Sequence, residues 1–335
     1  MRKFIIGVDG GGTKTIAVLS DLEGNIVCSD KTSGINYQII GIDTASETIT
    51  KLIRNLLKRA KIGSEEISFL LLGLAGTDFP EEIQLWENHL APDISCIPHK
   101  ICTDTWVALA AGSLGQAGAI SICGTGHNTA VKREDGEEFV ISALRFALGN
   151  FGGGRMIADF ALHSAFRDFE DVGEKTLLTK YLPEFCEVED MVQLRTMVLD
   201  SGYTYHYKYP VPKLVAELAQ KGDRVSFDIL RKIGKVQGEM TARLIRKAGM
   251  EKENIPIVLA GSVYCGEDNA VIVDSFKSVI REMCPELKPN YVTLECPPVF
   301  GSLLLAARQT IEEEKNDIFW SIFKENLTKT FEVFQ

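Results

Sequence analysis

Apolar and polar positions along the first thirty residues follow the period of β-strands. An apolar run covers 4–8 and stops at Asp9, and after three glycines Thr15, Ala17 and Leu19 alternate with Lys14, Ile16, Val18 and Ser20. An acidic turn at 21–24 that ends in glycine leads into a third short run at 25–29. Alternation with a period of two is typical of strands, and aspartate and glycine favour the turns between them. The chain therefore begins with a predicted antiparallel meander of three strands.

Helical and strand patterns then alternate. Apolar residues recur every three or four positions over 43–60, which predicts an amphipathic helix. Shorter apolar segments between turn residues predict strands at 68–74 and 100–103 and helices at 80–90 and 106–113. This order of elements is typical of an α/β fold.

The opening pattern returns later in the chain. An apolar run, a glycine turn and two further strands follow one another over 119–141 in the same order as over 4–29. A long stretch of helical period at 156–248, a strand at 257–259 and an amphipathic helix at 317–334 come after it. A repeated supersecondary pattern indicates an internal duplication, so we expect two domains whose similar sheets face each other.

Length and charge narrow the class of protein. A chain of 335 residues is long enough for two cores. Its hydrophobic content of 45% and charged content of 24% are those of a globular protein. No apolar run approaches the roughly 20 residues that a bilayer span needs, so we expect no membrane association. A net charge of -10 without a basic run disfavours contact with phosphate backbones, so we expect no nucleic-acid binding.

Cysteine and histidine usage points to a reduced compartment. The eight cysteines include no Cys-x-x-Cys pair, and the five histidines have no metal-ligand spacing. Scattered cysteines of this kind favour free thiols over disulfides or a zinc cluster. The first residues resemble a strand more than an export signal, so we expect a cytoplasmic protein.

The glycines after the first strand predict a phosphate-binding turn. The residues of this first glycine turn are Gly10, Gly11 and Gly12. Without side chains, their backbone N–H groups are open to a phosphate chain. Thr13 and Lys14 could reach phosphate oxygens, and Asp9 could hold hydrated Mg²⁺. The alternative is a hairpin turn in which the glycines serve only the backbone conformation. A second matching turn later in the chain favours phosphate binding over this alternative.

A second glycine turn occupies the matching place in the repeat. Its residues are Gly124, Thr125 and Gly126. Two such hairpins can hold one triphosphate from opposite sides. A Rossmann fingerprint is excluded because alternating residues rather than a helix follow the first turn, and a Walker A loop is excluded because Lys14 follows Thr13.

Asp104 is the candidate general base. It follows an apolar strand and precedes a helix, where a carboxylate could accept the proton of a substrate hydroxyl during phosphoryl transfer. The alternative is a helix cap, a common role for aspartate. Its place between two phosphate turns favours the catalytic interpretation.

Together these motifs resemble a known family. V-D-G-G-G-T-K-T at 8–15, T-D at 103–104 and G-T-G at 124–126 are similar to the N-acetylglucosamine kinase family, which belongs with the BadF/BadG/BcrA/BcrD ATPases of the actin-like superfamily. The resemblance implies an α/β fold of two duplicated actin-like ATPase (ribonuclease H-like) domains with a nucleotide cleft between them. It also implies ATP and Mg²⁺ as cofactors, a small-molecule sugar substrate and a homodimer.

The domain bounds follow from the resemblance and the repeat. We expect an N-terminal, sugar-side domain at 1–112 and a C-terminal, nucleotide-side domain with a helical insertion at 113–312. A C-terminal helix would occupy 313–335.

The resemblance also assigns roles to single residues. Asp9 would organise Mg²⁺, Thr13 and Thr125 would contact phosphates, Asn36 would bind a sugar hydroxyl and Asp104 would be catalytic. Further nucleotide-binding residues by resemblance are Gly261 and Ser262. Further substrate-binding residues by resemblance are Ala75, Gly76, Leu144, Arg145 and Asn150.

One loop departs from the family pattern. The family's sugar loop usually reads Gly-Trp-Gly and then Gly-Asp-Glu-Gly, whereas this chain has A-L-R at 143–145 and G-N-F-G at 149–152. Asn150 offers one acceptor and one donor group where an aspartate would offer two acceptors. Arg145 could meet a carboxylate, which makes N-acetylmuramate a substrate to test, or could be an exposed charge.

The sequence thus predicts ATP-dependent phosphorylation of a sugar hydroxyl, with an N-acetylated amino sugar of the N-acetylglucosamine or N-acetylmuramate type as the acceptor. One alternative is a BadF-type ATPase that couples ATP hydrolysis to a partner protein. Another is a nucleotide- or sugar-sensing module without turnover.

Overall fold

A computed structural model describes residues 3–141, 146, 149–202, 210–266, 269–311 and 317–331. Its strands are β1 (Phe4–Gly10), β2 (Lys14–Asp21), β3 (Ile26–Ser33), β4 (Ile67–Leu74), β5 (His99–Cys102), β6 (Gly118–Cys123), β7 (His127–Lys132), β8 (Glu138–Ile141), β9 (Asn254–Ala260) and β10 (Lys288–Thr293). Its helices are α1 (Tyr37–Ile40), α2 (Ile42–Ala60), α3 (Pro80–His89), α4 (Pro92–Ser95), α5 (Asp104–Ser113), α6 (Gly154–Phe169), α7 (Leu178–Phe185), α8 (Met191–Asp200), α9 (Val211–Gln220), α10 (Arg224–Lys247), α11 (Ala270–Met283), α12 (Val299–Thr310) and α13 (Asp317–Phe331).

The chain forms two compact units with the same sheet topology. Unit 1 comprises 1–117 and 294–335, and unit 2 comprises 118–293. The strand order is β3-β2-β1-β4-β5 in unit 1 and β8-β7-β6-β9-β10 in unit 2. In each sheet the first three strands form an antiparallel meander and the last two add in parallel. The predicted duplication and the α/β class are therefore confirmed.

The central strand of unit 1 is apolar from Phe4 to Val8 because both of its faces are buried there. Ile5 and Ile6 point to opposite faces, and neither is exposed to solvent. On one face Ile6 belongs to a core that also includes apolar residues of α2. On the other face a Cβ at Gly7 would lie 2.9 Å from Leu303 of α12, so this glycine lets α12 pack close to the sheet.

The bounds of the two units correct the expected assignment of the C-terminal segment. Residues 294–312 were expected in the nucleotide-side domain, but α12 packs on β1, β4 and α5 of unit 1. Helix α13 joins the same unit, where Asn326 Nδ2 donates to the Glu23 carbonyl at 2.9 Å. The chain enters unit 2 near the expected position and returns to unit 1 before its last two helices, a crossing that local sequence patterns do not reveal.

The contact between α12 and α5 depends on a glycine. A Cβ on Gly301 would lie 1.8 Å from the Val107 carbonyl oxygen and 2.7 Å from the Ala111 nitrogen, both of them backbone atoms that cannot move alone. We expect Gly301→Ala to lower the free energy of unfolding by about 1–3 kcal/mol, the usual effect of overpacking. Urea unfolding would measure it. Gln309→Ala at an exposed position of the same helix is the control, and an equal, small effect of both changes would contradict this account.

Unit 2 carries a helical insertion between β8 and β9. The predicted helical stretch at 156–248 is confirmed and consists of α6 to α10. Strand β9 is confirmed at Asn254–Ala260, and β10 is a strand that the sequence patterns did not predict. In the described part of the chain, none of the helices combines the length and apolar character needed to cross a membrane.

Candidate active site

Three parallel strands of unit 1 end at the same edge of their sheet, and polar residues follow each of them. Asp9 pairs in register with Gly73 of β4, which in turn pairs with Cys102 of β5. The segments 75–78 and 103–104, which come directly after β4 and β5, therefore begin at the same edge of the sheet as Asp9. The carboxyl ends of parallel strands are where α/β proteins place their ligands.

Asp104 is the first residue of α5 rather than its N-cap, which is Thr103. The Thr103 hydroxyl lies 3.3 Å from Asp104 Oδ1 and 3.1 Å from Asp78 Oδ1, so it bridges the two carboxylates. Burial, and then the charge of Asp78, raise the pKa of Asp104 to about 6. A half-buried carboxylate with this pKa is ionised at neutral pH and can still accept a proton, as a general base must.

Asp9 shares the same electrostatic environment. Burial, and then the charge of the neighbouring Asp104, raise the pKa of Asp9 to about 7, and the charge of Lys14 opposes this rise. A cation bound between two neighbouring carboxylates offsets their mutual repulsion and favours their ionised forms. Mg²⁺ commonly uses one or two protein carboxylates together with phosphate oxygens, so Asp9 fits the predicted metal role. Among the described residues, no cluster of three or more metal-ligating side chains is present.

The predicted sugar residues Asn36, Ala75 and Gly76 are brought together in unit 1. The Ala75 N–H donates to the Gly10 carbonyl at 2.7 Å, which fixes the turn after β4 to the end of β1. A Cβ on Gly76 would lie 3.1 Å from Asn36 Oδ1, so the two residues are neighbours. Asn36 Oδ1 accepts from the Gln38 backbone N–H at 3.0 Å and caps α1, which orients the side chain.

Two acidic residues beside this group were missed by the sequence analysis. Glu82 accepts hydrogen bonds from the Tyr37 hydroxyl at 2.8 Å and the Gln38 amide at 3.0 Å, and from the Asp78 backbone N–H at 2.7 Å. Glu82 thus connects α1 to the loop that carries Asp78. The available signal was the position of Asp78 in the loop after a parallel strand, where functional side chains collect.

The first glycine turn is tied to the segment that carries Asn36. The N–H groups of Gly34 and Ile35 donate to the carbonyls of Thr13 and Gly11, both at 3.1 Å. A Cβ on Gly34 would lie 2.2 Å from the Gly12 carbonyl oxygen, so only glycine allows this approach. A shift of the first glycine turn would therefore also move Ile35, which directly precedes the predicted sugar-binding residue Asn36.

The second glycine turn is held from two sides within unit 2. On one side, the N–H groups of Gly154 and Arg155, at the start of α6, donate to the carbonyls of Gly124 at 2.7 Å and Thr125 at 3.1 Å. On the other side, the Val263 N–H donates to the Cys123 carbonyl at 3.0 Å. Gly261 has a φ of +95° and packs against Cys123, so its role in the structure is close packing.

A pocket of about 590 Å³ opens beside the second glycine turn. Its lining includes Gly124, Thr125 and the predicted residue Ser262. Apolar walls come from α9, α10 and α11, and Arg155 and Lys213 add two cations. An apolar slot with cations beside a glycine turn suits an adenine nucleotide. Arg155 and Lys213 were not predicted as site residues, because their helices bring them to the turn from distant positions in the sequence.

Three glycines of the two turns face open space. A Cβ on Gly12, Gly124 or Gly126 would meet no atom within 4 Å, and none of the three has a positive φ. Neither packing nor backbone conformation therefore requires glycine there. In the described chain the N–H groups of Gly12, Thr13, Thr125 and Gly126 also have no hydrogen-bond acceptor. Free N–H groups beside space that a side chain would fill suit a phosphate chain.

The remaining predicted substrate residues belong to the departing loop. Asn150 lies in unit 2, where its Nδ2 donates to the His127 carbonyl at 3.0 Å. Within the described residues, its Oδ1 and His127 Nδ1 are both buried without a hydrogen-bond partner. Leu144 and Arg145 lie outside the described residues.

A family model described as the BadF/BadG/BcrA/BcrD ATPase family matches residues 6–306. The chain is 28% identical to the N-acetyl-D-glucosamine kinase of Dictyostelium discoideum over 318 residues, which cover 91% of this chain and 98% of that protein. It is 24% identical to the N-acetylmuramic acid/N-acetylglucosamine kinase of Clostridium acetobutylicum over 304 residues, again 91% and 98%.

Among solved structures, the ROK family glucokinase of Streptomyces griseus, in complex with glucose and AMPPNP, has a TM-score of 0.55 and 15% identity. The match covers 92% of this chain and 99% of that one. At this identity the likeness concerns the fold, which agrees with the two α/β units described above.

Proposed function

Because the chain belongs to the BadF/BadG/BcrA/BcrD ATPase family, we propose that it transfers the γ-phosphoryl group of ATP to a hydroxyl of an N-acetylated amino sugar. The observation that carries this proposal is the pair of glycine turns, where N–H groups without an acceptor lie beside space that a side chain would otherwise fill. The two relatives named as kinases of N-acetylated sugars support the acceptor class. ATP hydrolysis coupled to a partner protein is the alternative.

In the proposed reaction Asp104 acts as the general base. Its ionised carboxylate accepts the proton of the acceptor hydroxyl as that oxygen attacks the γ-phosphorus, and ADP leaves. Asp9 would hold Mg²⁺, which neutralises charge on the phosphate oxygens. Thr13, Lys14 and Thr125 would contact phosphates together with the N–H groups of the two turns. Exclusion of water would favour transfer to the sugar over hydrolysis.

The proposed acceptor residues are Asn36, Ala75 and Gly76 in unit 1 and Asn150 in unit 2, with Leu144 and Arg145 also assigned to the acceptor. Asn36 can offer its Nδ2 group to a sugar hydroxyl, because its Oδ1 already serves α1. Asn150 is held against the His127 carbonyl by its Nδ2, which fixes its place at the edge of the departing loop. Ser262 and the pocket beside it would receive the nucleoside.

The proposal is tested by ADP release with Mg-ATP and a panel of acceptors. N-acetylglucosamine, N-acetylmuramate, glucosamine and neutral hexoses would be compared with a sample without sugar. We expect one N-acetylated sugar to stimulate ADP release, and Asn36→Ala to raise the KM for that sugar with little change in the KM for ATP. Sugar-independent hydrolysis would support the coupled ATPase instead, and no ADP would favour a sensing module.

The raised pKa of Asp104 predicts an acidic limb in the pH profile. Only the ionised carboxylate can accept the proton, so kcat should fall about tenfold per pH unit below about pH 6. Protonation of Asp9, whose pKa is about 7, would weaken Mg²⁺ binding over the same range, so the profile needs saturating Mg²⁺.

Asp78→Asn tests the cause of this limb. Removal of the Asp78 charge should lower the pKa of Asp104 and move the acidic limb to lower pH. Glu47→Gln, at an exposed position of α2, is the matched control and should leave the limb in place. A limb that is unchanged in Asp78→Asn would contradict the assignment to Asp104.

Two parts of the proposal concern the protein in its setting. A cytoplasmic location fits an ATP-using sugar kinase with scattered cysteines, and localisation of a tagged chain would test it. The homodimer implied by the family resemblance stays a prediction, which light scattering of the purified protein can check.

A further inference from the structure

A chain of buried polar side chains lies beneath the second glycine turn. Ser121, Gln237 and Tyr264 are all inaccessible to solvent, and they come from β6, α10 and the loop after β9. The Tyr264 hydroxyl donates to Gln237 Oε1 at 2.5 Å and lies 3.0 Å from Ser121 Oγ. Since that hydroxyl has one proton, Ser121 is the donor to Tyr264. One phenol therefore joins three separate elements.

These hydrogen-bonded side chains reach the second glycine turn through Gln237. The Gln237 Nε2 donates to Cys123 Sγ at 3.2 Å, and Cys123 is the residue directly before Gly124. The same nitrogen would lie 2.4 Å from a Cβ on Gly152, so Gln237 also packs against the segment that leads into α6. The start of α6 in turn holds the second glycine turn through the carbonyls of Gly124 and Thr125.

Tyr264 also belongs to the wall of the pocket. Its neighbours Ser262, Val263 and Cys265 line the pocket, whereas its own ring is buried and packs edge-on against Phe276 at a centroid distance of 6.0 Å. The Tyr264 hydroxyl thus ties this wall to β6, which ends at the second glycine turn, and to α10, which contacts Cys123. The distance between wall and turn decides whether the nucleoside and the phosphates can be bound at the same time.

The buried side chains that connect Tyr264 to the second glycine turn are uncharged. Burial raises the pKa of Tyr264 well above its ordinary value, and burial raises that of Cys123 to about 11. The groups stay neutral at physiological pH, so their hydrogen bonds hold one arrangement. Polar residues in an otherwise apolar core carry a cost of desolvation, which fits a positioning role better than a role in stability alone.

We propose that Tyr264 is a positioning residue that, through Ser121 and Gln237, holds the pocket wall at 262–265 in register with the second glycine turn for binding the phosphates of ATP. This inference rests on the proposed function. Removal of the hydroxyl takes the donor from Gln237 Oε1 and the acceptor from Ser121 Oγ. The wall then keeps its backbone bond from Val263 to Cys123 but loses its side-chain link to α10 and β6, so it can shift against the turn. Nucleotides with phosphates should lose affinity, whereas a nucleoside bound by the wall alone should not.

Calorimetric titration with Mg-ATP, Mg-ADP and adenosine tests this inference. Tyr264→Phe keeps the ring against Phe276 and should raise the Kd for ATP and ADP about tenfold, with the Kd for adenosine changed by less than about twofold. Tyr291→Phe, which removes a half-buried phenol from β10 of the same unit, is the control and should leave all three Kd values unchanged. An equal loss for all three ligands, or a lower melting temperature with no change in Kd, would overturn the positioning role.

A double variant separates a shared chain from independent packing effects. If Tyr264 and Gln237 act through one another, Tyr264→Phe combined with Gln237→Met should weaken ATP binding no more than the stronger single change. Additive losses would overturn the inference. Should Tyr264→Phe fail to fold, Ser121→Ala removes the other partner of the phenol and should give the same ATP-selective loss. A wild-type protein that binds no Mg-ATP would reject the proposed function itself, whereas wild-type binding with unaltered variants rejects only the inference.

Discussion

Asp104→Asn is expected to lower kcat by about 100- to 10,000-fold, the usual contribution of a general base, while the KM for ATP stays close to the wild-type value. Asparagine keeps the size of the side chain and an oxygen that can accept from Thr103, but it cannot take the proton of the acceptor. Steady-state kinetics with the acceptor found in the sugar panel would measure the effect.

The stability of the same variant distinguishes a chemical role from a structural one. Because burial and Asp78 raise the pKa of Asp104 above its unfolded value, the stability associated with this group is present at low pH and is lost as pH rises through about 6. At pH 8 the neutral asparagine avoids that loss, so the variant should melt at the same temperature as wild type or higher. Lower activity together with a lower melting temperature at pH 8 would instead indicate a structural role.

Gly124→Val is expected to raise the Kd for ATP about 100-fold, or about 2.7 kcal/mol of binding free energy. A Cβ at this position would meet no protein atom within 4 Å, so the valine side chain enters the space that the phosphates are proposed to occupy. The melting temperature of the ligand-free protein should therefore change little. Calorimetry with Mg-ATP measures the loss, and Gly124→Ala should give an intermediate value because it fills less of that space.

Gly153→Ala provides the contrast. Gly153 has a φ of +86°, and its Cβ would lie 2.6 Å from the backbone of Gly126. Alanine there should destabilise the fold itself, which thermal unfolding would show. If Gly124→Val lowered the melting temperature as much as Gly153→Ala, the open space at Gly124 would not be a ligand site.

Local patterns were sufficient for the sheets and the glycine turns. Apolar runs and alternating positions bounded by glycine and aspartate identify β1 to β3 and β6 to β8, because each of these two meanders pairs strands that are consecutive in sequence. Strand β10 has no such signal, since its residues are largely half-buried or exposed and its partner β9 lies across α11. The packing of α12 on unit 1 likewise depends on contacts between residues far apart in sequence, which local patterns do not show.

The candidate site divides in the same way. Asp9, Asp104 and the two turns are visible in sequence because each directly follows a strand. Gln237 looks like an ordinary buried position of an amphipathic helix, and only the fold brings it within 3.2 Å of Cys123. Lys213 and Arg155 reach the pocket from the first turns of two helices of the insertion. The spacing of apolar residues in such a helix reveals its buried face but not what its ends contact.

Transfer of a phosphoryl group from ATP to a sugar can be followed by measuring sugar phosphate, ADP and inorganic phosphate in the same reaction by mass spectrometry and colorimetry. We expect one sugar phosphate for each ADP, with inorganic phosphate at the level of a sample without enzyme. ADP accompanied by an equal amount of inorganic phosphate, with no sugar phosphate from any acceptor of the panel, would contradict this transfer.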